Sequence, residues 1–392
     1  MKYHFSNYTF DTKAHSLTQD GLDQPVEPQV FDLLRLMLEN AGKLVTKDQL
    51  IEEIWGGRIV SESAISARIA ATRKVVGDDG KRQEIIRTIA RRGIQFVAQV
   101  TESGSTEAIP HSAEFSPKIR YATADDGVKI AFAISGSGPP LLRVAHHPTH
   151  LELEWNEASE RSMFDVLGQS HTLIRMDQRG CGLSDLDVDD FSTTRSAKDM
   201  KAVLDVLGIN RVDLLGTSSG GMIATEFAAM FPERSSRLIT LGGYVDGRSV
   251  RNENASPDPD DAILKMAKEG WETHGSSFIS GYVSVYFPTA TPELIQQIAR
   301  NVQLSCPVEN EIRGRRFFNH HSIANLLEKV QAPTLIMHSR GDAVHPLSEG
   351  QKLAKGISGA QLLVLESRNH YPLQEEESWQ TMMAAMQEFL AD

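Results

Sequence analysis

The spacing of apolar positions changes several times along the first hundred residues. Tyr3 to Phe10 and Ser16 to Gln19 alternate apolar and polar types, which predicts short, half-buried strands. From Glu27 to Asn40 the period lengthens, and Val30, Phe31, Leu33, Leu34, Leu36, Met37 and Leu38 recur at helical spacing. A second helix is expected behind Thr46, an N-cap type followed by Gln49, with Leu50, Ile51, Ile54 and Trp55 on its apolar side and Gly56-Gly57 as its stop. A third starts near Ser61 or Ser63 and passes Ile65, Ile69 and Val75 to end at Gly77-Asp78-Asp79-Gly80. Ile85 to Ile89 and Ile94 to Val97 then read as strands joined by Ala90-Arg91-Arg92-Gly93, a hairpin.

Residues 101–117 are small, polar and proline-containing with no sustained period, so they are expected to be a linker between a domain at 1–100 and another at 118–392. Beyond it the pattern becomes strand, loop, helix, repeated. Val128 to Ile134, Leu141 to Ala145, Thr172 to Met176, Val212 to Leu215, Leu238 to Leu241, Thr334 to His338 and Leu362 to Leu365 are strand-like. Helical stretches such as Ser196 to Leu207 and Gly221 to Met230 separate several of them, which predicts a mostly parallel sheet covered on both faces. About 248–330 breaks the rhythm with helical segments and no clear strand, as a cap inserted over the sheet would.

A formal net charge of −12 argues against a nucleic-acid partner until its distribution is considered. Residues 1–100 hold 14 Lys and Arg against 13 Asp and Glu, so nearly all the acidic excess lies beyond them. Arg58, Arg68, Arg73, Lys74, Lys81, Arg82, Arg87, Arg91 and Arg92 fall late in this segment, and its acids fall mostly early, so one face can be basic while the domain is neutral. The only cysteines, Cys181 and Cys306, are far apart and lack metal-ligand spacing, which suits a reducing compartment and leads us to expect neither a disulfide framework nor a bound metal. No cofactor is expected. With no long apolar run and no signal-like start, the expected location is the cytoplasm, away from membranes.

The segments Val45-Thr46-Lys47-Asp48-Gln49-Leu50, Ile54-Trp55-Gly56, Arg73-Lys74-Val75-Val76-Gly77-Asp78 and Ile86-Arg87-Thr88-Ile89-Ala90-Arg91-Arg92-Gly93 resemble the OmpR/PhoB-type winged helix-turn-helix family across residues 1–100. That resemblance implies double-stranded DNA as partner, with Ser61 to Lys74 as the recognition helix and the hairpin as a wing. Ser63, Ser66, Arg68, Arg73 and Lys74 on the helix, with Arg91 and Arg92 on the wing, are the implied contacts. For any single one of these residues a solvated surface position is the alternative. Response regulators of this family carry a receiver domain before the DNA module; here none precedes it, so the signal is expected to enter through the second domain.

In that domain Gly216-Thr217-Ser218-Ser219-Gly220 follows an apolar strand and opens a helical pattern, the setting a nucleophile elbow requires. A serine nucleophile needs a base, and the base needs a carboxylate to hold its tautomer. Asp342, after the strand Thr334 to His338, and His370, after the strand Leu362 to Leu365, supply both. The order Ser218, Asp342, His370 resembles the α/β-hydrolase superfamily from about Ile119 onward, as do Asp177 to Asp185 and Gly136 to Pro140. His150-Leu151-Glu152-Leu153-Glu154-Trp155 resembles the branch fused to regulatory or cyclase domains. The resemblance implies an oxyanion hole from the amides of Ser219 and His147, although Ala145-His146-His147-Pro148 departs from the usual glycine-containing pattern. His345 lies near Asp342, but its spacing suits packing and His370 is the expected base. His146, His147 and His150 are read as pocket lining, since no cysteine or carboxylate ligand pattern accompanies them. His146, Thr217, Tyr282, Tyr286, Phe317 and Tyr371 are candidates to line a ligand cavity, some of the aromatics being alternatively cap core.

The fold class expected is therefore an α+β winged helix-turn-helix followed by an α/β-hydrolase fold with a helical cap. Two functions follow: a homodimeric regulator whose hydrolase domain senses a small-molecule ligand, or a working serine hydrolase acting on an ester or lactone.

Overall fold

The computed structural model describes residues 2–6, 8–12, 16–19, 22–24, 26–55, 60–78, 80–89, 92–98, 100–103, 117–251, 265, 267–271, 273 and 275–391. The chain divides into two compact units, Met1–Phe115 and Ser116–Asp392.

In the first unit β1 (Lys2–Phe5), β2 (Tyr8–Asp11), β3 (Ser16–Gln19) and β4 (Leu22–Gln24) form an antiparallel meander. Its alternation turns Tyr3, Phe5, Tyr8, Phe10 and Leu17 to one buried face, where Phe10 stacks on Phe31 with ring centroids 4.3 Å apart. Phe31 belongs to α1 (Pro28–Glu39), which begins with proline at its first position, where the missing N–H is not needed. β5 (Leu44–Thr46) leads into α2 (Lys47–Trp55) through a reciprocal cap: Thr46 N–H donates to Gln49 Oε1 at 2.9 Å and Gln49 N–H to Thr46 Oγ1 at 3.3 Å. Ser61 caps α3 (Glu62–Val75), and β6 (Ile86–Ile89) and β7 (Gly93–Phe96) complete a three-stranded sheet with β5. The Gly56-Gly57 stop expected after α2 lies outside the described residues. The unit extends past residue 100, because β8 (Val100–Ser103) pairs with β1 and the expected linker contributes its first three residues to the sheet.

The second unit is built on an eight-stranded sheet. β9 (Arg120–Thr123) and β10 (Lys129–Gly136) are antiparallel, and β11 (Pro140–Val144), β12 (Thr172–Met176), β13 (Val212–Thr217), β14 (Ser235–Leu241), β15 (Thr334–Ser339) and β16 (Gln361–Leu365) run parallel. All residues of β13 and β15 are buried, as expected of parallel strands covered on both sides. α6 (Thr193–Val206), α7 (Ser219–Met230) and α12 (Leu347–Gly356) cover one face; α4 (Leu151–Trp155), α5 (Ala158–Gly168) and α13 (Glu377–Ala391) cover the other. Between β14 and β15 the chain forms α8 (Arg248–Arg251), α9 (Ser277–Tyr286), α10 (Pro292–Ser305) and α11 (Val308–His320), with a core of its own that includes Trp271, Ile279, Val283, Phe287 and Ile295. Among the described residues no helix is long and apolar enough to cross a membrane.

Candidate functional site

On the first unit α3 presents Ser63, Ser66 and Lys74 to solvent with Ala64, Ala67 and Ala70. Lys74 is the long side chain among these six; the other five are serine and alanine. Two of the arginines expected to reach DNA are engaged within the unit. Arg73 is buried and donates from Nε and Nη2 to the Ile86 carbonyl, at 3.1 and 3.0 Å, and from Nη2 to Thr88 Oγ1 at 2.8 Å, so it fastens α3 to the hairpin and is withdrawn from the surface. Arg68 donates to Glu27 Oε2 at 2.7 Å. Asp78 adds a second fastening, its carboxylate accepting from the amides of Glu84, Ile85 and Ile86. Helix and wing are thereby held as one body. Arg92 is exposed at the hairpin tip, and Arg91 lies outside the described residues.

In the second unit Ser218 sits between β13 and α7 at φ 55° and ψ −123°, a conformation that costs a non-glycine residue roughly 1–3 kcal/mol. The flanking glycines permit the turn: a Cβ on Gly220 would lie 2.1 Å from the Val144 carbonyl oxygen, and one on Gly216 2.6 Å from that of Gly220. His370 Nδ1 and Asp342 Oδ2 are 2.6 Å apart, and the other Asp342 oxygen accepts from the amides of Val344 and His345. Burial alone raises the Asp342 pKa, but the His370 ring, the His345 amide and His338 outweigh it and hold the carboxyl below its usual value. His370 Nε2 has no hydrogen-bond partner and faces the same cavity as Ser218. The geometry separates His370 from His345. His345 stacks on Tyr244 at 3.8 Å, its Nδ1 lies 3.3 Å from the Arg251 guanidinium, and burial with the neighbouring His370 and Arg251 pushes its pKa well down.

The cavity encloses about 140 Å³. His146, Tyr282, Tyr286 and Tyr371 line it as expected of them, whereas Thr217 and Phe317 do not. Thr217 is the buried last residue of β13, and Phe317 stacks on His321, leaving Phe318 to face the cavity. Sequence reasoning missed the cationic lining, Arg248, Arg251 and Arg315, because cap arginines carry no motif. Arg315 donates to the hydroxyl of Tyr282 and pairs with Glu311 at 3.1 Å. Burial pushes His146 down to about 4, so it faces the cavity as a neutral imidazole.

The His147 loop carries an unexpected partner. Ser219 follows Ser218 and heads α7, but its hydroxyl accepts the His147 amide at 3.0 Å, so one of the two donors expected to face an oxyanion is already engaged. The loop of His370 is tied to the cap: His370 N–H donates to the Tyr286 carbonyl at 2.7 Å, and Asn369 exchanges hydrogen bonds with Thr289 at 3.1 and 2.6 Å. The fold also gathers the two cysteines, which the sequence separates, beside His147.

Two family profiles match the chain, one described as alpha/beta hydrolase fold over residues 154–377 and one described as transcriptional regulatory protein, C terminal, over residues 23–96. The chain is 27% identical over 278 residues to the 2-hydroxy-6-oxononadienedioate/2-hydroxy-6-oxononatrienedioate hydrolase 2 of Pseudomonas putida, covering 69% of this chain and 91% of that protein. It is 25% identical over 253 residues to the corresponding Escherichia coli (strain K12) hydrolase, covering 62% and 85%. Among solved structures, an esterase from Exiguobacterium antarcticum matches with TM-score 0.59 and 24% identity over 69% of this chain and 99% of that one. An enol-lactonase from Burkholderia xenovorans LB400 matches with TM-score 0.57 and 16% identity over 70% of this chain and 100% of that one. These structural likenesses speak for the fold.

Proposed function

The chain belongs to the alpha/beta hydrolase fold family and carries a DNA-binding winged helix-turn-helix domain before that fold, and from this premise we propose that it is a transcription regulator whose hydrolase domain binds and turns over a small acyl compound. One observation carries the reading of the site: His370, oriented by Asp342 at 2.6 Å, presents an unbonded Nε2 to the cavity that holds Ser218 on its strained elbow. In this reading His370 takes the Ser218 proton as Oγ attacks the acyl carbon, and returns it to the leaving group; Asp342 stabilises the imidazolium and stays ionised. The apolar cap aromatics with Arg251 and Arg315 suit an unsaturated or aromatic acyl chain bearing a carboxylate. The dicarboxylate named for the Pseudomonas putida relative is of that chemical kind.

A second reading, a sensor that holds its ligand without turnover, is favoured by the Ser219 hydroxyl on the His147 amide. Removing one oxyanion donor costs about 10²–10³ in kcat in serine hydrolases. Ser219→Ala separates the two: if the hydroxyl blocks the hole, the variant hydrolyses a p-nitrophenyl ester faster than wild type, and if it relays a proton to the oxyanion, slower.

The proposal is tested with a fluorophosphonate, which reacts only with an activated serine and then remains in the cavity. Expected are labelling of Ser218 and a changed affinity of the full chain for its operator fragment, since a ligand shifts an equilibrium only through different affinities for its two states. Labelling with unchanged DNA affinity sinks the regulatory half, and failure to label sinks the catalytic half. We further propose that the protein acts as a homodimer, which sedimentation of the full chain tests.

A further inference from the structure

Beside the cavity, where the cap meets the core, a set of soft donors has no part in the chemistry above. Cys181 lies in the loop after β12, Cys306 follows α10, and His147 lies in the oxyanion loop. One ligand atom from each falls within 4.8 Å of the other two, and all three side chains are buried. His147 Nδ1 is 3.4 Å from Cys181 Sγ. Zinc takes thiolate sulfur at about 2.3 Å and imidazole nitrogen at about 2.0–2.1 Å in tetrahedral geometry, which places an N and an S ligand roughly 3.5 Å apart. The observed separation, a thiol–imidazole hydrogen bond in the metal-free chain, is also that of two ligands of one ion.

The far side of the imidazole supplies an independent observation. His147 Nε2 and Glu311 Oε2 are both buried without a hydrogen-bond partner and face each other at 3.5 Å. Metal-bound histidines donate their second N–H to a carboxylate, which fixes the tautomer and leaves the other nitrogen as a ligand. Glu311 occupies that place, held by Arg315 through its other oxygen. Gly314 lets α11 close over the ring, because a Cβ there would lie 2.5 Å from His147 Nε2.

We infer that Cys181, Cys306 and His147 form a site for a thiophilic divalent cation, zinc being the natural one, which clips the cap to the core. Two thiolates and one neutral imidazole leave the fourth position to a water molecule or small anion. Binding releases two protons to solvent, one from Cys306 and one from the Cys181–His147 pair, and involves no redox change.

The reduced full chain, stripped with a chelator and desalted, is titrated with Co²⁺. Expected are one ion per chain, a thiolate-to-cobalt charge-transfer band in the near ultraviolet, and loss of that band on adding Zn²⁺. Cys181→Ser and Cys306→Ser each lose the band, whereas Glu311→Gln keeps it and binds about 10–100-fold more weakly. Co²⁺ uptake without the band, a band surviving in both cysteine variants, or no uptake overturns the inference. Where a variant does not fold, alkylation of the wild type decides: Zn²⁺ protects both cysteines if they are ligands, and unchanged labelling rates overturn the site. A Cys181–Cys306 disulfide in a chain that takes up no metal after reduction overturns it as well.

Discussion

In the N-terminal unit two of the arginines expected to touch DNA are engaged within the unit, Arg73 in the joint between α3 and the hairpin and Arg68 on Glu27. In the C-terminal unit the residues expected to act together do converge, with His370 on Asp342 and both beside the cavity of Ser218. The contrast reflects what each task demands. A proton relay needs three particular groups within hydrogen-bond reach, so the order of three motifs along a parallel sheet nearly dictates the site. A groove-reading surface needs shape and net charge, which many residues can supply, so the role of one arginine is decided by its neighbours.

The sharpest way to break this contrast is Ser218→Ala. Esterase activity should fall on the order of 10⁶-fold, the size of a lost nucleophile in a serine triad, and fluorophosphonate labelling should be lost, while DNA binding by the unliganded chain is unchanged; residual labelling would place the nucleophile elsewhere. Next in size is Phe10→Ala, which empties the stack on Phe31. We expect a loss of about 3–5 kcal/mol from a unit of ordinary stability, so DNA binding fails at a temperature where hydrolysis continues; calorimetry showing one unshifted transition would contradict it.

Acid provides the third test. His146 is pushed down to about 4, and burial holds His338 and His345 below their usual value as well. Through these three groups the unfolded chain binds protons near pH 6.5 that the native unit refuses, so their contribution is complete above about pH 6.5 and is lost as pH falls toward 4, while His147, Asp177 and Glu160, raised to about 9, 8 and 7, act in the opposite sense. His146 alone accounts for at most about 3 kcal/mol. Urea unfolding at pH 7.5 and 5, followed by tryptophan fluorescence dominated by Trp155, Trp271 and Trp379, should show that His146→Gln raises the midpoint at pH 5 relative to that at pH 7.5 when compared with wild type; an unchanged difference would refute the assignment. The smallest effect separates the two kinds of basic residue on α3. Lys74→Ala should reduce the salt dependence of DNA binding by about one unit of slope at unchanged stability, whereas Arg73→Ala should cost about 1–3 kcal/mol of stability by stranding the Ile86 carbonyl and Thr88. The reverse pattern would return Arg73 to the DNA surface.

Much of the architecture was legible because it rests on local signals. The capping pair Thr46 and Gln49, the helical period of α1 and the apolar strands before Ser218, Asp342 and His370 each declare themselves within a few residues. What stayed hidden depends on distant partners. β8 is a strand only because β1 offers it an edge, and a polar run such as Val100–Ser103 has no signal of its own. Thr217 and Phe317 were placed by proximity in sequence, but the elbow turns one into the sheet and the pitch of α11 turns the other from the cavity. Cys181 and Cys306 are separated by much of the fold and the cap, and no spacing rule spans such a gap. Nor did the residue after the nucleophile announce that its hydroxyl would meet the His147 amide.

The bonds from Tyr286 and Thr289 to His370 and Asn369 make the imidazole's address depend on a closed roof. A substitution that shifts the chain at Tyr286 or Thr289 should therefore reach the imidazole through its own backbone, without touching the ring.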